Sequence, residues 1–231
     1  MTALYSLFLT LCVYFISQRF YRYTGNVVSS PLIVCPIVLV TLLLLFHVSY
    51  NTYNEGGQIL SFMLQPATVA LAVPIYKYRA LLKKYGWEIF ISITSGAALA
   101  VVTSMGFASL LGLSPQVIDS LAPRSITTPM AMSISEMLGG NPAMTAVFVI
   151  ITGIVGVVIT PLLFKIPMIQ NPVTKGLMLG VGAHGTGTAK AYEIGPLEGA
   201  MASLAMTFMG IVTTLIAPQL VPFCFYMLST M

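Results

Sequence analysis

Ala143-Met144-Thr145-Ala146-Val147-Phe148-Val149-Ile150-Ile151-Thr152-Gly153-Ile154-Val155-Gly156-Val157-Val158-Ile159-Thr160-Pro161-Leu162-Leu163-Phe164 carries no charged side chain, and Lys165 follows it directly. Lipid offers a bare backbone no hydrogen bonds, so an apolar run of about 20 residues is read as a helix that crosses a bilayer. Comparable runs cover Ala3–Gln18, Pro31–Tyr50, Gln58–Tyr78, Trp87–Leu111 and Gly199–Tyr226. The first is expected to be a membrane anchor and not a cleaved leader, because its cations, Arg19 and Arg22, come after the apolar stretch and not before it. The expected fold is therefore all-α: a polytopic transmembrane helical protein of about six full spans. Residues 1–231 form a single membrane domain in this reading.

Composition leads to the same place. Of 231 residues 57% are apolar and 7% charged, and the mean hydropathy is +0.93, whereas soluble domains carry about 25% charged residues. The net charge of +4 resides at the ends of apolar runs, as topology signals do, so no nucleic-acid partner is expected. Cys12, Cys35 and Cys224 lie far apart in apolar surroundings and read as packing residues, not as a disulfide framework or zinc site.

Two apolar stretches resist drawing as ordinary spans. Pro115–Gly140 contains Ala122-Pro123-Arg124 and Thr128-Pro129, and Pro172–Gly195 contains Gly180-Val181-Gly182-Ala183-His184-Gly185-Thr186-Gly187-Thr188. Proline and glycine at this density open the helical ladder, which at membrane depth is tolerated only inside protein or along a cavity. These are the two broken or re-entrant segments of the expected fold. With Arg19 and Arg22 cytoplasmic, counting spans puts Lys77, Arg79, Lys83 and Lys84 on the same side; a re-entrant Pro115–Gly140 also delivers Lys165 and Lys175 there. An ungapped self-alignment sets Leu64-Gln65-Pro66-Ala67-Thr68-Val69 on Leu121-Ala122-Pro123-Arg124-Ser125-Ile126, and Ile93, Gly96 and Thr103 on Ile150, Gly153 and Thr160. Chance matches are common in an apolar chain; as a true duplication this would be the inverted repeat of a secondary transporter.

Arg124, with Ser125, Thr127 and Thr128, sets a cation and hydroxyls beside a proline-broken helix start, an arrangement that suits a carboxylate. The alternative is an interfacial arginine with hydroxyls bonded to their own helix. The glycines around His184 lack the order of a phosphate loop and follow no strand. His184 can bind a carboxylate or carry a coupled proton, with Gly185 and Thr188 beside it; it can equally satisfy nearby carbonyls. Gln65 and Thr68 can contribute from across a cavity or simply occupy a kinked helix. Lys190 and Glu193 fit an ion pair across one turn, or a gate if buried; Glu136 reads as a water-facing charge or a polar group at the site. The sequence has no nucleophile, base and orienter set, and His47 and His184 lack metal-ligand spacing, so neither catalysis, a metal nor a cofactor is expected.

Leu121 to Met132 (Leu-Ala-Pro-Arg-Ser-Ile-Thr-Thr-Pro-Met-Ala-Met), Gly182 to Ala191 (Gly-Ala-His-Gly-Thr-Gly-Thr-Ala-Lys-Ala) and Gln65 to Ala72 resemble the signature stretches of the LrgB/CidB family of bacterial inner-membrane proteins, over nearly the whole chain. The length suits a stand-alone bacterial member and not the fused plastid form. The resemblance implies two functions: antiholin-like modulation of murein hydrolase activity and lysis with a small LrgA/CidA-type partner, or transport of small carboxylates such as glycolate, glycerate and pyruvate. Broken helices with a cation, hydroxyls and a histidine favour transport; an antiholin-like regulator is the alternative. The family commonly has Lys at position 124, Ser at 183 and an acidic residue at 133, where this chain has Arg124, Ala183 and Ser133. Small-residue faces such as Gly153 and Gly156 lead to the expectation of a homo-oligomer, taken as a dimer.

Overall fold

A computed structural model describes the backbone of residues 2–25, 27–70 and 72–229, and within these the side chains of all but residues 2, 3, 27, 64, 65, 67, 68, 72, 74, 75, 228 and 229. Among the described residues every regular element is helical. The chain divides into two compact units, Met1–Ala72 and Val73–Met231.

The first unit holds α1 (Thr2–Thr24), α2 (Pro31–Leu45) and α3 (Tyr50–Ala70), with α1 packed on both of the others. Ser30 starts α2 by accepting from Leu32 N at 3.4 Å, and Pro31 fills the first turn, where a missing N–H costs nothing. Thr10 and Tyr53 join α1 to α3 through their hydroxyls at 2.9 Å. The run read as Gln58–Tyr78 is divided between α3 and α4 (Ala72–Lys77), and the run read as Pro31–Tyr50 ends its helix at Leu45.

The second unit is built from α5 (Arg79–Leu110), α6 (Pro115–Leu121), α7 (Thr128–Leu138), α8 (Pro142–Leu163), α9 (Pro172–Ile194) and α10 (Pro196–Ser229). Helix α10 lies at its centre, against α9, α5 and α7. Ile89, Ile93, Ala97, Val101 and Met105 recur at every fourth position of α5 and form one buried stripe, packed in the same core as Leu204, Ala205 and Met209 of α10. The opposite faces are no more polar: Leu99 and Phe107 on α5, and Val147, Ile151 and Leu162 on α8, are exposed. Helices apolar on all sides are those of a membrane protein. Three helices, α5, α8 and the α10 segment Pro196–Met227, are long and apolar enough to cross a bilayer. Cations gather on aromatic rings where spans begin and end: Arg79 lies 4.4 Å from the Tyr76 ring and Lys175 5.1 Å from that of Phe164, as expected at a membrane interface.

Both irregular stretches are resolved into specific shapes. Pro115–Gly140 is a broken hairpin of α6 and α7, of 7 and 11 residues. At 1.5 Å per residue these reach roughly 10 and 17 Å, short of the roughly 30 Å of a bilayer core. Pro172–Gly195 departs from the expected glycine-rich unwinding. Helical geometry persists along α9 except at one residue, His184, with φ 38° and ψ −121°. The glycines serve mainly close packing: a Cβ on Gly180 would meet Ala202 O of α10, and one on Gly187 would meet Leu179 O across the bend. Gly153 and Gly156 face α9 of the same chain, meeting Thr186 with His184 and Ala183 respectively, so this small-residue face is filled within the subunit.

Candidate functional site

The turn Ala122–Thr127 joins the limbs of the hairpin and presents Arg124 to the neighbouring helices. Pro123 and Pro129 keep helix from forming through it, and Thr127 is the N-cap residue of α7, with extended backbone and no hydrogen bond from its side chain to that helix start. Arg124 Nε donates to Ser104 Oγ of α5 at 2.8 Å, and Nη1 donates to Thr152 Oγ1 of α8 at 3.2 Å. Each hydroxyl is itself oriented by its own helix: Ser104 Oγ donates to Ala100 O at 2.5 Å, and Thr152 Oγ1 to Phe148 O at 2.7 Å. The hydroxyls thus turn lone pairs toward the guanidinium, which leaves the Nη2 hydrogens without an acceptor among the described residues. No carboxylate pairs with Arg124 there either; the ion pair found among those residues is Lys190–Glu193. Thr152 stands midway along α8, so the cation is brought to the middle of an apolar helix.

His184 enters from α9. Its ring is 4% exposed, and Nε2 is buried without a partner. The imidazole lies beside the Val149 backbone and within electrostatic reach of the Arg124 charge. The positive φ costs about 1–3 kcal/mol at a residue with a Cβ. Thr188 compensates in part: its Oγ1 donates to His184 O at 2.8 Å and lies 3.7 Å from Met206 Sδ of α10. Gly153 makes room for the ring, since a Cβ there would stand 2.9 Å from His184 Cε1 and 2.5 Å from Thr186 Oγ1. The result is a polar cluster of Arg124, Ser104, Thr152, His184, Thr186 and Thr188 among otherwise apolar helices. A guanidinium with unused donors beside an imidazole can hold a small anion by charge and directed hydrogen bonds.

Of the residues singled out in the sequence, Arg124, His184 and Thr188 come together here. Ser125 is buried in the same turn, Thr127 and Thr128 are half-buried at the start of α7, and Gly185 is exposed one position beyond the bend. The side chains of Gln65 and Thr68 lie outside the described residues. Lys190 Nζ and Glu193 Oε2 are 2.8 Å apart, with side chains 25% and 50% exposed, and form the one-turn pair that their spacing predicts. Glu136 is exposed, Ser133 is exposed and donates to Pro129 O at 3.2 Å, and Ala183 is buried against the face of Gly156. Ser104, Thr152 and Gly153 were not singled out as site residues. Each sits inside an apolar helix; the return of the hairpin against α5 and α8 gives Ser104 and Thr152 their role, and the packing of α9 on α8 gives Gly153 its own.

Residues 10–223 match the family described as LrgB-like. The chain is 48% identical over 218 residues to the uncharacterized protein YwbG of Bacillus subtilis (strain 168), covering 94% of this chain and 97% of that protein. It is 36% identical over 224 residues to the antiholin-like protein LrgB of Bacillus mycoides (strain KBAB4), and 35% identical to the protein of that name in Bacillus cereus (strain B4264), each alignment covering 96% of this chain and 97% of the relative. No solved structure matches it.

Proposed function

The chain belongs to the LrgB-like family, and from that premise we propose that it is a multi-pass bacterial inner-membrane transporter of small monocarboxylates of the glycolate, glycerate or pyruvate class. One observation carries the reading: Arg124 is a half-buried guanidinium with no carboxylate partner among the described residues, braced by Ser104 and Thr152 at the tip of a broken hairpin. An intramembrane cation without a counter-ion is costly unless an anion completes it. The free Nη2 hydrogens take the carboxylate, and His184 Nε2 takes the second polar group that glycolate, glycerate and pyruvate all carry next to it. Gly96 and Gly153, matched in the self-alignment, both face α9, at Val181 and at Thr186 with His184. This is the arrangement that two related halves around one substrate site would produce.

Passage requires the hairpin to shift against α5 and α8 and open first to one side, then to the other. Uptake of labelled pyruvate, glycolate and lactate into proteoliposomes tests the reading. Saturable flux that is lost in Arg124→Ala supports it; absence of flux with folded protein overturns it.

The names of the relatives favour a second reading. The Bacillus mycoides and Bacillus cereus proteins are called antiholin-like, and by that analogy this chain would regulate murein hydrolase activity and lysis through a small LrgA/CidA-type membrane partner. That function predicts lysis phenotypes without solute flux and with dependence on partner contact. It provides no use for a guanidinium held ready in an apolar interior.

A further inference from the structure

Asp119 is the single aspartate of the sequence. It stands on α6, the first limb of the hairpin, and is 9% exposed. Its Oδ1 is sealed off and has no hydrogen-bond partner.

The surrounding seam is polar, yet among the described residues none of its donors bonds to Asp119. Ser120 Oγ donates to Gln116 O at 2.6 Å and accepts from Asn141 N at 2.7 Å. Thr145 Oγ1 lies 3.0 Å from Ser120 O, 2.7 Å from Ser135 Oγ and 3.0 Å from Asn141 O, with a single hydrogen for all three. Gly140 packs on the Asp119–Ser120 backbone so closely that a Cβ would stand 2.7 Å from Ser120 N, while a Cβ on Gly139 would lie 3.9 Å from Asp119 Oδ2. The seam therefore joins α6, the end of α7 and the start of α8 around a carboxyl whose buried oxygen, Oδ1, receives no donor.

Helix α6 packs on α5, α7 and α8. The titratable groups of those helices are Arg79, Lys83, Lys84, Tyr85 and Glu88 near the start of α5 and Glu136 on α7. Among the described residues none of them bonds to Asp119. Arg124, in the turn that follows this limb, is engaged by Ser104 and Thr152. One of the two carboxylate oxygens, Oδ1, is sealed away from water without a donor or counter-ion, and that cost favours the protonated carboxyl while the seam is closed.

We propose that Asp119 is the proton-binding site of the transport cycle: with its proton bound the α6–α7–α8 seam closes over the substrate site, and loss of the proton to water opens it. This rests on the transport reading. A proton and a monocarboxylate then move together, electroneutrally, and a pH gradient drives accumulation.

The test compares wild type with Asp119→Asn in proteoliposomes, measuring labelled pyruvate and glycolate above protein-free vesicles. Under a one-unit pH gradient wild type accumulates about tenfold. Asp119→Asn is expected to keep exchange of internal for external substrate within about twofold of wild type while its gradient-driven accumulation falls to the level of protein-free vesicles. Accumulation by the variant equal to wild type, or accumulation that follows a sodium gradient instead, overturns the assignment and leaves transport standing. No flux in wild type removes transport and this proposal together. If the variant loses exchange as well, wild-type protein made with 4-13C-aspartate decides, because the label marks this carboxyl alone. An infrared band of a protonated acid at neutral pH supports the proposal; an ionised carboxylate band overturns it.

Discussion

Thr152 Oγ1 accepts from Arg124 Nη1 at 3.2 Å while donating to Phe148 O at 2.7 Å, so one hydroxyl fastens the hairpin tip to the middle of α8 and points the guanidinium. Thr152→Val removes the acceptor and preserves the shape. In proteoliposomes it should raise the KM for the transported carboxylate severalfold, by about 1 kcal/mol, with the protein still folded.

Arg124→Ala removes the charge and its directed donors together. Uptake should fall about 100-fold or more, matching the roughly 3 kcal/mol of a charge-assisted contact in a desolvated site. Arg124→Lys keeps the charge but not the fork that spans Ser104 and Thr152, and should retain intermediate activity. Equal flux in all three proteins would remove the site assignment.

Gly153→Ala pushes a methyl group into His184 and Thr186, whereas Gly182→Ala, on the same bend, meets nothing within 4 Å. The first should destabilise by about 1–3 kcal/mol. The second should be neutral or stabilising by up to about 1 kcal/mol, because alanine is the better helix former. Thermal unfolding in detergent separates the two.

His184 holds φ 38°, a conformation that glycine adopts without penalty. His184→Gly should therefore be more stable than His184→Ala by about 1–2 kcal/mol, although both lose the imidazole and should transport poorly. Equal melting temperatures would show that the bend carries no strain at this residue.

Lys190 and Glu193 form an exposed pair one turn apart near the end of α9. Lys190→Ala should change stability by no more than about 0.5 kcal/mol, measured in the same melt. A larger loss would mean that the pair fastens something beyond its own helix.

The apolar runs, the sparse charges and the cations at the run ends determined, by themselves, that this is an all-α membrane protein, because an unbonded backbone is costly in lipid and runs of about 20 apolar residues have the length of a spanning helix, not of a barrel strand. The prolines around Arg124 also marked the hairpin in the sequence itself, since they break a helix wherever it lies. Gly180, Gly182, Gly185 and Gly187 misled in part: glycine signals either an opened backbone or a close approach, and only packing against α10 and across the bend shows that Gly180 and Gly187 serve approach. The strained residue proved to be His184, whose side chain argues against a positive φ. Ser104, Thr152 and Asp119 acquired meaning only from tertiary structure. A hydroxyl or carboxyl in an apolar helix is the same letter whether it meets lipid, its own carbonyl or a guanidinium, and the return of the hairpin between α5 and α8 decides which.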